Sequence, residues 1–204
     1  MIRNLVFDLV GVLMRVEREA ILKPYFPDPD DREAVSDALF DRRYWDRFDD
    51  DSMNEEQAAA QILPALPERL REPAGQSLLN WYRHLSPVLG MEEAIDRMRR
   101  EFGVSVYLLS NISRKFSEHA DLYPVLQKMN GRVCSAAVGF TKPSREIYAC
   151  LCETYGLKPE ECLFTDDLPV NIAAAEAFGM RGYRFDGDVA RFETHARNLL
   201  RAER

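Results

Sequence analysis

The stretch Leu5-Val6-Phe7-Asp8-Leu9-Val10-Gly11-Val12-Leu13 decides how the rest of the chain is read. Its first residues form an apolar run without polar alternation, the pattern of a strand buried on both faces. Asp8 stops that run shortly before Gly11, so the strand opens into a loop with a carboxylate at its C-terminal end. The same acid argues against reading the run as the apolar segment of a signal peptide.

Outward from this strand the chain divides in two. Residues 16–87 contain no convincing strand and are rich in charge and helix formers, punctuated by Pro64, Pro67 and Pro73. They read as an all-helical insertion. Within it Asp49-Asp50-Asp51 reads as a solvated loop whose charge favours the next helix N-terminus. Ser52 with Glu55, or Asn54 with Gln57, would cap that helix. From about residue 88 helix and strand signals alternate. Met91, Ala94, Ile95, Met98 and Phe102 recur at helical spacing and Gly103 closes the helix. Strands are expected at 104–109, 133–138, 162–165 and 183–185, and helices at 144–155, 171–178 and 189–201. Strands alternating with helices imply a parallel sheet covered on both faces. The fold class is therefore α/β, a Rossmann-like core of 1–15 and 88–204 with a small helical cap at 16–87.

The 204 residues, 46% hydrophobic and 30% charged, suit an ordered globular chain. A chain of this size buries about 70% of its extended surface, enough for one sizeable core and a small satellite. The net charge of −7 speaks against a general nucleic-acid binder, so any phosphate site must be local. No stretch approaches the ~20 apolar residues of a membrane span. Cys134, Cys150, Cys152 and Cys162 form no C-x-x-C pair, and His84, His119 and His195 are far apart. Zinc is unsupported, and reduced, mostly buried cysteines in a cytoplasmic protein are expected.

In open α/β sheets, ligands bind beyond the carboxyl ends of the strands. Four such ends are polar here: Asp8, Ser110-Asn111, the segment reaching Lys142-Pro143, and Thr165-Asp166-Asp167. Converging carboxylates repel one another unless a cation sits among them, and oxygen ligands without His or Cys favour Mg²⁺. With Lys142, that cation would neutralise a phosphate dianion, while Ser110 and Asn111 donate hydrogen bonds to its oxygens. Asp8 is then free to attack phosphorus.

With these motifs in order, the sequence resembles the haloacid dehalogenase superfamily. Phe7-Asp8-Leu9-Val10-Gly11-Val12-Leu13, Leu108-Leu109-Ser110-Asn111, Thr141-Lys142-Pro143 and Phe164-Thr165-Asp166-Asp167 with Asn171 resemble its four motifs. The Asp-Asp-x-x-x-Asn form is similar to the subgroup holding bacterial glucose-1-phosphate phosphatase and the phosphatase domain of soluble epoxide hydrolase. The resemblance implies a helical cap after the first strand and Asp8 as nucleophile and metal ligand. It implies a Mg²⁺ ligand in the Val10 carbonyl, phosphate contacts from Ser110 and Asn111, and charge neutralisation by Lys142. It makes Asp167 the principal acidic ligand after the nucleophile and Asp166 a second acid near the metal. Most family phosphatases carry a second Asp two residues after the nucleophile, where this chain has Val10. The group that moves the proton is thus open, with water or His84 in view.

The implied function is Mg²⁺-dependent hydrolysis of a small phosphorylated metabolite, such as a sugar phosphate, with no nucleic-acid or membrane partner. Two other readings share the motifs: a metal-independent 2-haloacid dehalogenase, against which Asp166-Asp167 argues, and a phospho-ligand-binding scaffold. Among Tyr44, Trp45 and Trp81, at least two are expected to pack cap helices rather than touch substrate. Arg97 to Arg100 is read as a solvated helix face.

Overall fold

The computed structural model describes residues 1–202. The chain opens with β1 (Asn4–Phe7) and β2 (Met14–Arg15). The helical insertion follows: α1 (Arg18–Leu22), α2 (Pro29–Leu39), α3 (Arg42–Asp49), α4 (Glu55–Ile62) and α5 (Glu68–Leu79). The chain returns through β3 (Ser86–Pro87), α6 (Met91–Phe102), β4 (Ser105–Ser110), α7 (Arg114–His119) and α8 (Pro124–Gln127). It ends with β5 (Gly131–Cys134), α9 (Ser135–Val138), α10 (Arg145–Tyr155), β6 (Cys162–Asp166), α11 (Pro169–Phe178), β7 (Arg181–Arg184) and α12 (Val189–Ala202).

The main sheet is parallel, ordered β5-β4-β1-β6-β7. β1 is central, and Leu5, Val6 and Phe7 have no exposed surface. Their side chains alternate between faces. Leu5 and Phe7 join a cluster with Met91, Ile95 and Met98 of α6 and Phe192, Ala196 and Leu200 of α12. Val6 joins Ile147, Tyr148 and Leu151 of α10 and Ala175 of α11. Both faces are thus covered, which is why β1 reads as an unbroken apolar run.

The insertion has an apolar cluster of its own, including Leu22, Phe26, Val35, Phe48, Ile62, Leu70 and Leu78. Asn54 and Gln57 form the capping box of α4. The chain leaves and re-enters the sheet through β2 and β3, which pair antiparallel, Met14 opposite Pro87 and Arg15 opposite Ser86.

Four expectations change. The strand expected at 133–138 stops at Cys134, because Ser135 to Val138 turn into α9, which ends at Gly139 with φ +76°. Short runs of small apolar residues carry no period that separates strand from helix. The last strand is Arg181–Arg184 rather than 183–185, an edge strand whose two arginines are exposed. Asp49 is not in a solvated loop but is the last residue of α3, and only Asp50 and Asp51 lie beyond that helix. The cysteines are all free, with Cys134, Cys152 and Cys162 buried. Arg97 pairs with Glu193 and Arg99 donates to the Lys128 carbonyl, so that helix face is tied down rather than merely solvated.

Glu55 is 2% exposed and fastens the insertion to the sheet layer. Its Oε1 accepts from Trp81 Nε1 at 3.0 Å and from Ser113 Oγ at 2.8 Å. Glu55→Ala strips a partner from two buried donors, each about 1–3 kcal/mol when unsatisfied. Urea unfolding should show a loss of about 2–4 kcal/mol for Glu55→Ala and a smaller one for Glu55→Gln. A loss below about 1 kcal/mol for Glu55→Ala would mean that this clasp does not hold the insertion.

Candidate active site

β1 delivers Asp8 to the carboxyl edge of the sheet, where its backbone N–H continues the ladder to the Thr165 carbonyl at 2.9 Å. Asp8 Oδ1 accepts from the Leu9 N–H at 2.7 Å and lies 2.7 Å from Lys142 Nζ. The same Nζ donates to Asp166 Oδ2 at 2.7 Å. The ammonium is almost fully buried between two carboxylates. Burial alone would lower the Lys142 pKa, but Asp8 and Asp166 outweigh it and hold the group above its ordinary value.

Asp166 has no exposed surface and its oxygens are fully engaged. Besides Lys142 it accepts from the Leu168 N–H at 2.8 Å and from Asn171 Nδ2 at 3.0 and 3.1 Å. No other described residue places a hydrogen bond on Asp8 Oδ2 or on the Asp167 carboxylate. One oxygen each from Asp8, Asp166 and Asp167 lie within 4.8 Å of one another. Burial raises the pKa of Asp8, with Lys142 opposing and Asp166 adding to the rise. Burial, then Asp166, likewise raises Asp167.

Ser110 ends β4 with no exposed surface, and its hydroxyl makes a long 3.4 Å bond to the Asn111 carbonyl. The Asn111 side chain holds Lys142. Its Oδ1 accepts from the Lys142 N–H at 2.7 Å and its Nδ2 donates to the Lys142 carbonyl at 2.9 Å. This clamp, which the sequence offers no means to find, positions the lysine backbone and leaves one Asn111 Nδ2 hydrogen for a ligand.

These groups border a cavity of about 560 Å³ between the sheet edge and the insertion. Its wall includes Asp8, Val10, Asn111, Lys142 and Asp167 from the sheet side and Arg42, Trp45, Asp46, Asp49 and Asp50 from the insertion. Arg42, Trp45, Asp46 and Asp49 stand at i, i+3, i+4 and i+7, so one face of α3 forms that wall. Trp45 also stacks on Phe40 and meets Trp81 edge-on at 4.9 Å, so both indoles pack the insertion and border the cavity. His84 is not on the wall; it hydrogen-bonds the Tyr25 hydroxyl at 3.2 Å, and burial lowers its pKa. Asp49 is the residue sequence reading missed. Asp41, N-capping α3, was the signal that would have phased Asp49 onto the face of Trp45.

A parallel sheet with acids and a lysine at its carboxyl edge, under a helical insertion, defines a class. The chain belongs to the haloacid dehalogenase-like hydrolases, whose family profile matches residues 2–179, and it is a hydrolase. It is similar to sesquiterpene phosphatase astK of Aspergillus oryzae, 24% identical over 191 residues covering 91% of this chain and 90% of that protein. A protein from Porphyromonas gingivalis described as a HAD-like family hydrolase is 25% identical, with a TM-score of 0.70 and 98% of each chain covered. A Bacteroides thetaiotaomicron enzyme of the family, a mutant in complex with magnesium and inorganic phosphate, is 17% identical with a TM-score of 0.68. That match covers 92% of this chain and 95% of the other.

Gly11 has φ +86°, and a Cβ there would stand 2.8 Å from Asp167 Cγ and Oδ2. Gly11→Ala therefore combines left-handed backbone strain with a push on Asp167. Urea unfolding should register a loss of about 1–3 kcal/mol. An unchanged midpoint would mean that loop and carboxylate yield freely.

Proposed function

We propose that the protein is a Mg²⁺-dependent phosphatase acting on a small phosphomonoester, a sugar phosphate being the favoured type, through an aspartyl-phosphate on Asp8. The observation that carries this reading is the convergence of Asp8, Asp166 and Asp167 around one buried lysine. Three ionised carboxylates against one ammonium leave two negative charges in excess, the charge of one divalent cation. Oxygen donors alone suit Mg²⁺, and Asp8 and Asp167 are the two carboxylates that Asn171 does not hold. Those two residues would hold the ion with the Val10 carbonyl, and Asp166 would act on it through water. Bound there, the ion supplies charge stabilisation to the transferring phosphoryl group.

The chain's own residues do the rest. The Leu9 N–H and Lys142 fix Asp8 Oδ1, which leaves Oδ2 to attack phosphorus. Lys142 offsets charge on both nucleophile and phosphoryl group, and Asn111 fixes the lysine backbone. Ser110 and the backbone at Asn111 would donate to phosphate oxygens. Val10, Val16, Trp45, Ile112, Leu168 and Val170 give the cavity apolar surface for the organic group. The similarity to a protein named as a phosphatase, and to one solved with magnesium and phosphate, supports the reading. A 2-haloacid dehalogenase would have no use for three converging carboxylates.

We further assign residues 16–87 as a cap over a core of 1–15 and 88–204, whose Glu203 and Arg204 lie outside the described residues. The separate apolar cluster of the insertion and its paired exit strands support that division.

Asp8→Asn should keep the fold and lower turnover by on the order of 10³-fold or more, since it removes the attacking oxygen. Asp167→Ala should raise the Mg²⁺ concentration needed for half activity, and excess chelator should stop the reaction. Full turnover in chelator or in Asp8→Asn would sink the mechanism. Binding of Mg²⁺ and phosphate without turnover of any ester would replace the phosphatase by a phospho-ligand-binding protein.

A further inference from the structure

Expulsion of an alcohol from a phosphate ester needs a proton at the leaving oxygen, and the sheet side of the cavity has none to give. Val10 presents hydrocarbon. Lys142 is held protonated by two carboxylates in contact with it. On the opposite wall Arg42 does not deprotonate. Asp46 is exposed and pairs with Arg42 at 3.2 Å. Asp50 is exposed and its Oδ1 accepts from the Ser52 N–H at 2.9 Å. Asp8 and Asp167 already have roles in the proposed reaction. Asp49 remains.

Its placement is built rather than incidental. Asp49 shares the cavity-facing side of α3 with Trp45, and its carbonyl accepts from Ser135 Oγ. That same Oγ accepts from the Ile112 N–H at 2.9 Å. Ile112 directly follows Asn111, whose amide clamps Lys142. One short loop thus fixes the lysine on one wall and the end of α3 on the other. Arg114 reinforces the joint by bonding the Asp51 carboxylate and the Ala136 carbonyl. Asp49 lines the cavity, and no described residue places a hydrogen bond on its carboxylate.

We propose that Asp49 is the proton donor to the leaving oxygen and, in the next step, the base for the attacking water; this rests on the phosphatase reading above. In the first step Asp8 forms a bond to phosphorus, the bond from phosphorus to the ester oxygen breaks, and the Asp49 carboxyl proton passes to that oxygen. In the second, water attacks the aspartyl-phosphate, its proton goes to Asp49, and Asp8 is released with inorganic phosphate. Ester and water are consumed, alcohol and phosphate are formed, and both aspartates return to their starting states.

The electrostatics agree. Burial raises the Asp49 pKa to about 7, with Asp46, Asp8 and Asp50 adding to the rise and Lys142 opposing it. These are the charges that face it: two from α3 and its end, one from β1, and one from the loop before α10. A group that titrates near neutrality serves both as acid and as base.

The test compares p-nitrophenyl phosphate, whose leaving group is a stable anion, with a simple alkyl phosphate, both with Mg²⁺ and in single turnover. Asp49→Asn should slow phosphorylation by the alkyl ester about 10²–10⁴-fold and by the nitrophenyl ester less than about tenfold. Asp49→Glu should recover part of the alkyl activity. Equal losses on both esters, or none on either, would overturn the assignment while leaving the phosphatase reading intact. The wild-type protein gives a second reading that needs no variant. Its kcat/KM for the alkyl ester should fall on the basic side of neutrality, and that limb should be absent for the nitrophenyl ester. The same limb with both esters also overturns it. A wild-type protein inactive on both esters would remove the phosphatase reading and this inference together.

Discussion

One ammonium group organises the molecule's working edge. Lys142 Nζ sits 2.7 Å from Asp8 and 2.7 Å from Asp166, with its side chain 1% exposed. Taking such charges out of water costs several kcal/mol each, and only mutual contact and further hydrogen bonds offset it. The Asn111 clamp, the Leu9 N–H on Asp8 and the Asn171 amide on Asp166 are those further bonds. They bind the ends of β1, β4 and β6 and the loop before α10 into one rigid unit. The unit remains short of positive charge, which is what fits it to a cation and a phosphate.

The same edge governs how the insertion is seated. α3 reaches the sheet layer through Ser135, and α4 through Glu55 and Ser113, so the insertion is fastened at several points on one side. The opposite side of the cavity is bordered by Leu168 and Val170, both half or more exposed. The anchored side is where orientation can be exact enough for proton transfer.

How much of this was legible depended on what each residue had to satisfy. β1 and β6 are buried on both faces, so their apolar runs stand out, and the acids that end them stand out in turn. The sheet, the flanking helices and the convergence of Asp8, Lys142, Asp166 and Asp167 follow from those patterns. β7 carries arginines at both ends because it is an edge strand, and its boundary slipped. Ser135 to Val138 satisfy helix and strand equally, and only their packing decides. Asn111 reads as a ligand donor, but sequence cannot show that its amide also holds the Lys142 backbone. Asp49 was hidden by its two acidic neighbours, which made one half-buried carboxyl look like part of a solvated run.

The exit strands of the insertion also bear on how the chain finds its fold. β1 pairs with β4 in register Phe7 to Leu108, so the central pairing closes a loop of about 100 residues, and closure entropy grows with loop length. The insertion has its own apolar cluster, and its two ends meet at Met14 and Pro87. Once it has collapsed, only about 30 residues of free chain separate the two strands. By the logarithmic loop law that shortening makes the central pairing easier by about 1 kcal/mol. The helices above the cavity therefore also act as a splint, drawing together strands that sequence sets far apart.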